Sequence, residues 1–154
     1  MTVRVNFDFK KRLAEIIEGN LLQYCYQCGA CVGDCPSARF DPSFNPRQIM
    51  LAALYGLEDR LLGSDSPIWK CSNCYNCYER CPQHMKPVEV IIALKNLLAQ
   101  EGHAPEGMDA IVERVKETGR PVQVTPAVQR IRNELGLEPL PELDASELKE
   151  ILRP

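Results

Sequence analysis

All eight cysteines of this 154-residue chain fall in two short runs, "CYQCGACVGDCP" over 25–36 and "CSNCYNCYERCP" over 71–82, and the spacing is the same in both. The pattern is C-x2-C-x2-C-x3-C-P, twice. Three thiolates two residues apart let a tight loop wrap one [4Fe–4S] cubane, each sulfur on its own iron, with backbone amides turned toward the sulfides. The three-residue step then sends the fourth sulfur away from that loop. Zinc also takes four thiolates, but usually from two separated C-x2-C pairs, which four cysteines within eleven residues match poorly. Neither C-x-x-C is followed by His, as haem attachment would need, and no isolated C-x-x-C stands in a βαβ context.

Composition sets the surroundings of those sulfurs. The chain is 45% hydrophobic and 25% charged, ordinary for a folded domain, and its formal charge of −3 comes from 18 basic and 21 acidic residues with no basic run among aromatics. No nucleic-acid partner is expected. The start "MTVRVNFDFKKRLAEIIEGN" lacks the apolar core of a secretory signal, and "IMLAALYGL" at 49–57 is too short to span a bilayer. A cytoplasmic location without membrane contact follows as the expectation, and there cysteine-dense chains bind metal more often than they form disulfides.

Helices must position the runs. Phe9, Leu13, Ile16 and Ile17 share one helical face, with Gly19 as a stop before the first run. Asn45 and Pro46 form a cap and first-turn pair, and "NPRQIMLAALYGLEDRLL" carries apolar residues at helical spacing to Gly63, predicting a helix over 46–62. After the second run, "KPVEVIIALKNLLAQEG" opens on Pro87, buries Val90, Ile91, Leu94, Leu97 and Leu98, and stops at Gly102. Each run is followed by a helix, a short repeat with pseudo-symmetric halves. Pro105, Pro121, Pro126, Pro139, Pro141 and Pro154 break the remainder into short helices over 106–118, 126–135 and 145–152, the last with Asp144 and Glu147 at capping-box spacing. The expected fold is all-α, with a domain over 1–104 and a helical C-terminal extension over 105–154 that completes the domain or docks on a partner.

Smaller expectations attach to single residues. Gly29, Ala30 and Gly33 let the backbone approach a cluster, while the polar Ser72, Asn73, Tyr75, Asn76 and Tyr78 are candidates to hydrogen-bond sulfur and raise the potential of the second cluster. Pro36 and Pro82 end the loops. Tyr24 and Trp69 are expected to shield the clusters from water. His84 and His103 are assigned no role.

The run spacing is that of bacterial two-cluster ferredoxins, in which the fourth cysteine ligates the other cluster. By that resemblance Cys25, Cys28, Cys31 and Cys81 hold one [4Fe–4S] cluster, and Cys71, Cys74, Cys77 and Cys35 the second. The 35 residues between Cys35 and Cys71 exceed the usual separation. With their helix they make the chain resemble the α-helical ferredoxin domain, as in succinate dehydrogenase iron–sulfur subunits. Within that group the two runs and "KPVEVIIALKNLLAQEG" resemble the two-cluster iron–sulfur subunit family of soluble CoB–CoM heterodisulfide reductases of methanogens, over about residues 15–102.

That resemblance implies a non-catalytic electron-transfer subunit of an oxidoreductase complex in methanogenesis. It would pass electrons from the flavin-containing heterodisulfide reductase subunit to the catalytic one, with a hydrogenase or formate dehydrogenase module as a further neighbour. Two fully ligated clusters leave no iron open to substrate, and no G-x-G-x-x-G phosphate loop is present, so donor and acceptor belong to other chains. Two other readings share these cysteines: a relay subunit of another anaerobic dehydrogenase or fumarate reductase-type complex, and a metal-stabilised structural or sensing domain.

Overall fold

The computed structural model describes residues 4–17, 21–63, 65–141 and 143–151, and among them there is no strand. They divide into two compact units, Met1–Pro105 and Glu106–Pro154. The first contains α1 (Phe7–Ile16), α2 (Ala30–Gly33), α3 (Pro36–Phe40), α4 (Pro46–Leu54), α5 (Glu58–Leu61), α6 (Asn76–Glu79) and α7 (Pro87–Gln100), with 3₁₀ turns at Leu21–Tyr24 and Pro67–Lys70.

Local chemistry starts each long helix. Asn6 caps α1 by accepting from the amides of Asp8 and Phe9, and Asn45 caps α4 by accepting from Gln48. Pro46 and Pro87 occupy the first helical positions of α4 and α7, where a missing N–H costs nothing. The stripe expected along α7 is the centre of the core, with Val90, Ile91, Leu94, Leu97 and Leu98 all at most 5% exposed. Fully burying one such side chain is worth about 1.5–3 kcal/mol, so tertiary packing rather than helix propensity holds α7. Around it pack Phe9 and Leu13 of α1, Ile49, Met50 and Ala53 of α4, and Phe44, Ile68 and Met85 from the connecting segments.

Two sequence expectations need correction here. Ile16 is 47% exposed, whereas Phe9, Leu13 and Ile17 are buried, so the core face of this segment runs at intervals of four and Ile16 points outward. The Gly19 stop lies outside the described residues. The helix expected over 46–62 is instead two, α4 and α5, parted at Gly56. There Gly56 N–H donates to Ala53 O and Leu57 N–H to Ala52 O, the paired bonds of a Schellman ending, with Gly56 at φ +67°. A Cβ on Gly56 would stand 2.5 Å from the backbone oxygen of Asn6, and Asn6 N–H donates to Gly56 O at 2.8 Å. The break is the seat for the start of α1, reinforced by the Asn6 amide donating to Glu58.

The second unit contains α8 (Met108–Thr118), α9 (Pro126–Glu134) and α10 (Ser146–Ile151). Gly107 and Gly119, both at positive φ, bound α8, and Thr125 caps α9 by accepting from Val128. Asp144 accepts from Ser146 N–H at 2.9 Å at the start of α10, while the Glu147 side chain of the expected capping box lies outside the described residues.

Candidate metal centre

The two runs fold alike. Gln27 and Asn73, equivalent residues before the second cysteine, take φ of +60° and +53°, and Gly29 and Tyr75, just after it, take +86° and +63°. These left-handed residues turn the chain so that the next cysteine enters a one-turn helix, α2 or α6, and the two helices lie against each other. Cys28 and Cys74 are exposed in both halves, while Cys25, Cys35, Cys71 and Cys81 sit partly buried against the hydrophobic core. The runs diverge after the fourth cysteine. Pro36 ends the loop and opens α3, whereas Pro82 leads into a turn with His84 and Lys86 at positive φ.

Two concavities are lined by the cysteines. Cys25, Cys28, Cys31 and Cys81 line the first, with Tyr26, Arg47 and Met85 among their neighbours. Cys35, Cys71, Cys74 and Cys77 line the second, with Phe44, Tyr75, Val88 and Ile91 beside them. Each therefore draws three sulfurs from one run and one from the other. Among the described residues no three His, Cys, Asp or Glu side chains converge as the ligands of a single ion would. Soft thiols around a mainly apolar space are the donor set that an iron–sulfur cluster takes.

Charge behaves as such a set demands. Burial pushes the Cys31 thiol up to about 11, with Cys25, Cys28 and, from the other run, Cys81 adding repulsion. Burial likewise takes Cys77 up to about 12, with Cys71, Cys31, Cys35 and Cys74 adding to it, and raises Cys71. Thiolates are unfavourable here without a bound cation, so metal binding and deprotonation are linked. Polar donors already face some sulfurs: Gln27 Nε2 donates to Cys25 Sγ at 3.3 Å, Met85 N–H to Cys81 Sγ at 3.3 Å, and Ala38 N–H to Cys35 Sγ at 3.5 Å.

The polar side chains of the second run are not among those donors. Asn73 Oδ1 accepts from Lys95, Asn76 Nδ2 donates to Asp34 O at 3.1 Å, and Ser72 pairs with Ser37 at 3.5 Å. The Asn76 bond stitches the runs together, as does the ion pair of Arg80 with Asp34 at 2.6 Å, formed between equivalent positions of the two runs. Lys70, next to Cys71, reaches back to Asp41 at 2.6 Å, and this hydrogen bond, with those from Ser43, holds the Asp41 carboxyl down at about 2. Shielding also differs from expectation. Tyr24 is 60% exposed and lines neither concavity, whereas Tyr26 and Tyr75 do line them. Trp69 packs against the core with Lys95 Nζ 5.8 Å from its ring centroid. His84 and His103 are exposed and line neither space, and His103 N–H completes the Schellman ending of α7 by donating to Leu98 O.

Sequence comparison places this geometry in a family. Residues 21–85 match the model of a 4Fe-4S dicluster domain. The chain is 36% identical over 144 residues to an iron–sulfur subunit of the CoB–CoM heterodisulfide reductase of Methanopyrus kandleri, covering 89% of this chain and 74% of that protein. It is 40% identical over 123 residues to the corresponding subunit of the H2:CoB–CoM heterodisulfide,ferredoxin reductase of Methanothermobacter thermautotrophicus, covering 80% of this chain and 65% of that one. With the corresponding subunit of the H2/formate:CoB–CoM heterodisulfide,ferredoxin reductase of Methanococcus maripaludis the identity is 42% over 118 residues, 75% of this chain and 61% of the relative. Among the described residues no helix is long and apolar enough to cross a membrane. The chain belongs to this heterodisulfide reductase family of iron–sulfur electron-transfer subunits.

Proposed function

We propose that this chain is the non-catalytic electron relay of a heterodisulfide reductase complex. In this reading Cys25, Cys28, Cys31 and Cys81 hold one [4Fe–4S] cluster and Cys71, Cys74, Cys77 and Cys35 hold the other. The observation that carries it is the division of the eight sulfurs between two concavities, three plus one in each. Clusters bound there supply one-electron chemistry with little change in their ligands. The chain's own part is to hold them side by side. The Asp34–Arg80 pair and the Asn76 bond join the two runs, and Gln27 and Met85 stabilise thiolate charge by donating to sulfur. The apolar floor of Phe44, Met85, Val88 and Ile91 limits water beneath them.

The donor is the flavin-containing heterodisulfide reductase subunit and the acceptor the catalytic one, the arrangement that membership of this family suggests, with a hydrogenase or formate dehydrogenase module feeding the complex. The relay resides in residues 1–104, and residues 105–154 form an extension outside it.

Chemical analysis of anaerobically prepared protein is the test. About eight irons and eight sulfides per chain, with a brown colour bleached by dithionite, are expected. Roughly two to four zinc ions in a colourless protein would overturn the reading, as would heterodisulfide cleavage by the chain without partners.

A further inference from the structure

Arg47 and Lys95 are both half-buried, and neither has a carboxylate within 4.0 Å among the described residues, unlike Arg12, Lys70, Arg80 and Lys86. Each reaches the first C-x2-C turn of a run. Lys95 Nζ donates to Cys71 O at 2.8 Å and to Asn73 Oδ1 at 3.0 Å. Arg47 Nη1 approaches Gln27 O at 3.5 Å and lines the first concavity. Gln27 and Asn73 are equivalent residues of the two runs, so a cation arrives at the same turn in both halves.

The helix positions delivering these cations are not equivalent. Arg47 is in the first turn of α4 and Lys95 in the third turn of α7. Counted from Pro46 and Pro87, the residue matching Lys95 is Leu54, and the one matching Arg47 is Val88. A repeat that merely preserved an ancestral packing contact would place the cations in register. Their convergence from different registers points to a requirement at the turn itself. Leaving a cation partly desolvated without a counter-anion is unfavourable, and a cubane held by four thiolates is a net anion.

Resting on the two-cluster reading above, we propose that Lys95 and Arg47 are positioning residues that set the reduction potentials of the two clusters, one cation to each. Adding one electron makes a cluster more negative, so a fixed neighbouring cation favours the reduced form and raises the potential. Lys95, with two short hydrogen bonds and an aromatic face beneath it, is expected to act more strongly than Arg47.

The test is a redox titration of the cluster-loaded full chain, followed by electron paramagnetic resonance. Lys95→Gln should lower the potential of one cluster only, with the reduced-to-oxidised ratio at fixed potential falling about tenfold, or about 59 mV for one electron. Arg47→Gln should lower only the other, and by less, while Lys95→Arg should stay near wild type. Potentials unmoved, or both clusters moving together, would overturn the proposal. Should Lys95→Gln fail to load, Lys95→Met is read instead. Loss of the cluster in both neutral variants, with retention only in Lys95→Arg, would make Lys95 a structural pin and also overturn it. Iron and sulfide analysis of the wild type separates the two failures: fewer than two clusters there sinks the relay reading, whereas two clusters with unshifted potentials sinks only the role of the cations.

Discussion

The two cysteine runs reach one backbone path with different residues. Where the first run uses Gly29 for the left-handed turn after its second cysteine, the second uses Tyr75 at φ +63°, tilted against Tyr78 with ring centroids 6.1 Å apart. A non-glycine residue there costs roughly 1–2 kcal/mol of backbone strain. The second half therefore accepts strain for an aromatic wall, and the first accepts openness for ease of turning. The following helices differ in the same spirit. Helix α4 stops at Gly56 to receive the start of α1, whereas α7 runs on to Gln100 as the core's axis. Between the two runs the backbone path is retained while the residues around it differ.

The severest way to break the comparison is at the crossover. Cys35→Ser should perturb the cluster of Cys71, Cys74 and Cys77 and spare that of Cys25, Cys28 and Cys31, with Cys81→Ser doing the reverse. Spectra of each single variant decide, and damage confined to the variant's own run would make each run self-contained. The site should also lose stability in both, because cluster binding is coupled to folding.

Next in size is the contrast between the two helix-ending glycines. Gly56→Ala forces a Cβ against Asn6 O at 2.5 Å, whereas Gly102→Ala meets nothing within 4 Å although φ is +77°. Denaturant unfolding should show a cost of about 2–3 kcal/mol for the first and about 1 kcal/mol for the second. A smaller effect separates the left-handed pair. Gly29→Ala should cost about 1 kcal/mol, and Tyr75→Gly should cost less, because relief of backbone strain offsets the lost contact with Tyr78. Equal losses would mean that Tyr75 is held without strain. The smallest effect belongs to the Asp34–Arg80 pair, whose side chains are 48% and 67% exposed. A double-mutant cycle should give a coupling below about 1 kcal/mol.

What could be read without coordinates was whatever depends on near neighbours in the chain. The Asn45–Pro46 helix start and the Val90 to Leu98 stripe are local patterns, and the structure follows them. The misses are non-local. Gly56 looked tolerable inside a helix until the backbone of Asn6 occupied the space beside it. Ile16 belongs to the right apolar cluster by spacing, but the residues of this segment that enter the core are Phe9, Leu13 and Ile17. Tyr24 is next to a cysteine in sequence but is exposed and lines neither concavity. Arg47 and Lys95 left no motif, because a cation serving a turn 20 or 22 residues earlier has no fixed offset.

The sharing of cysteines between runs also bears on how the protein is made. A ribosome releases the first run well before the second, and Cys31 precedes Cys81 by 50 residues. The second concavity gains its last sulfur at Cys77 and the first at Cys81. While that stretch is being translated, Cys25, Cys28 and Cys31 stand without the fourth member of their set and Cys35 without the other three of its own, all at risk of oxidation and mispairing. In the two-cluster reading neither cluster can be completed from the first run alone, and delivery of iron and sulfide has to wait until the second run, up to Cys81, has been made.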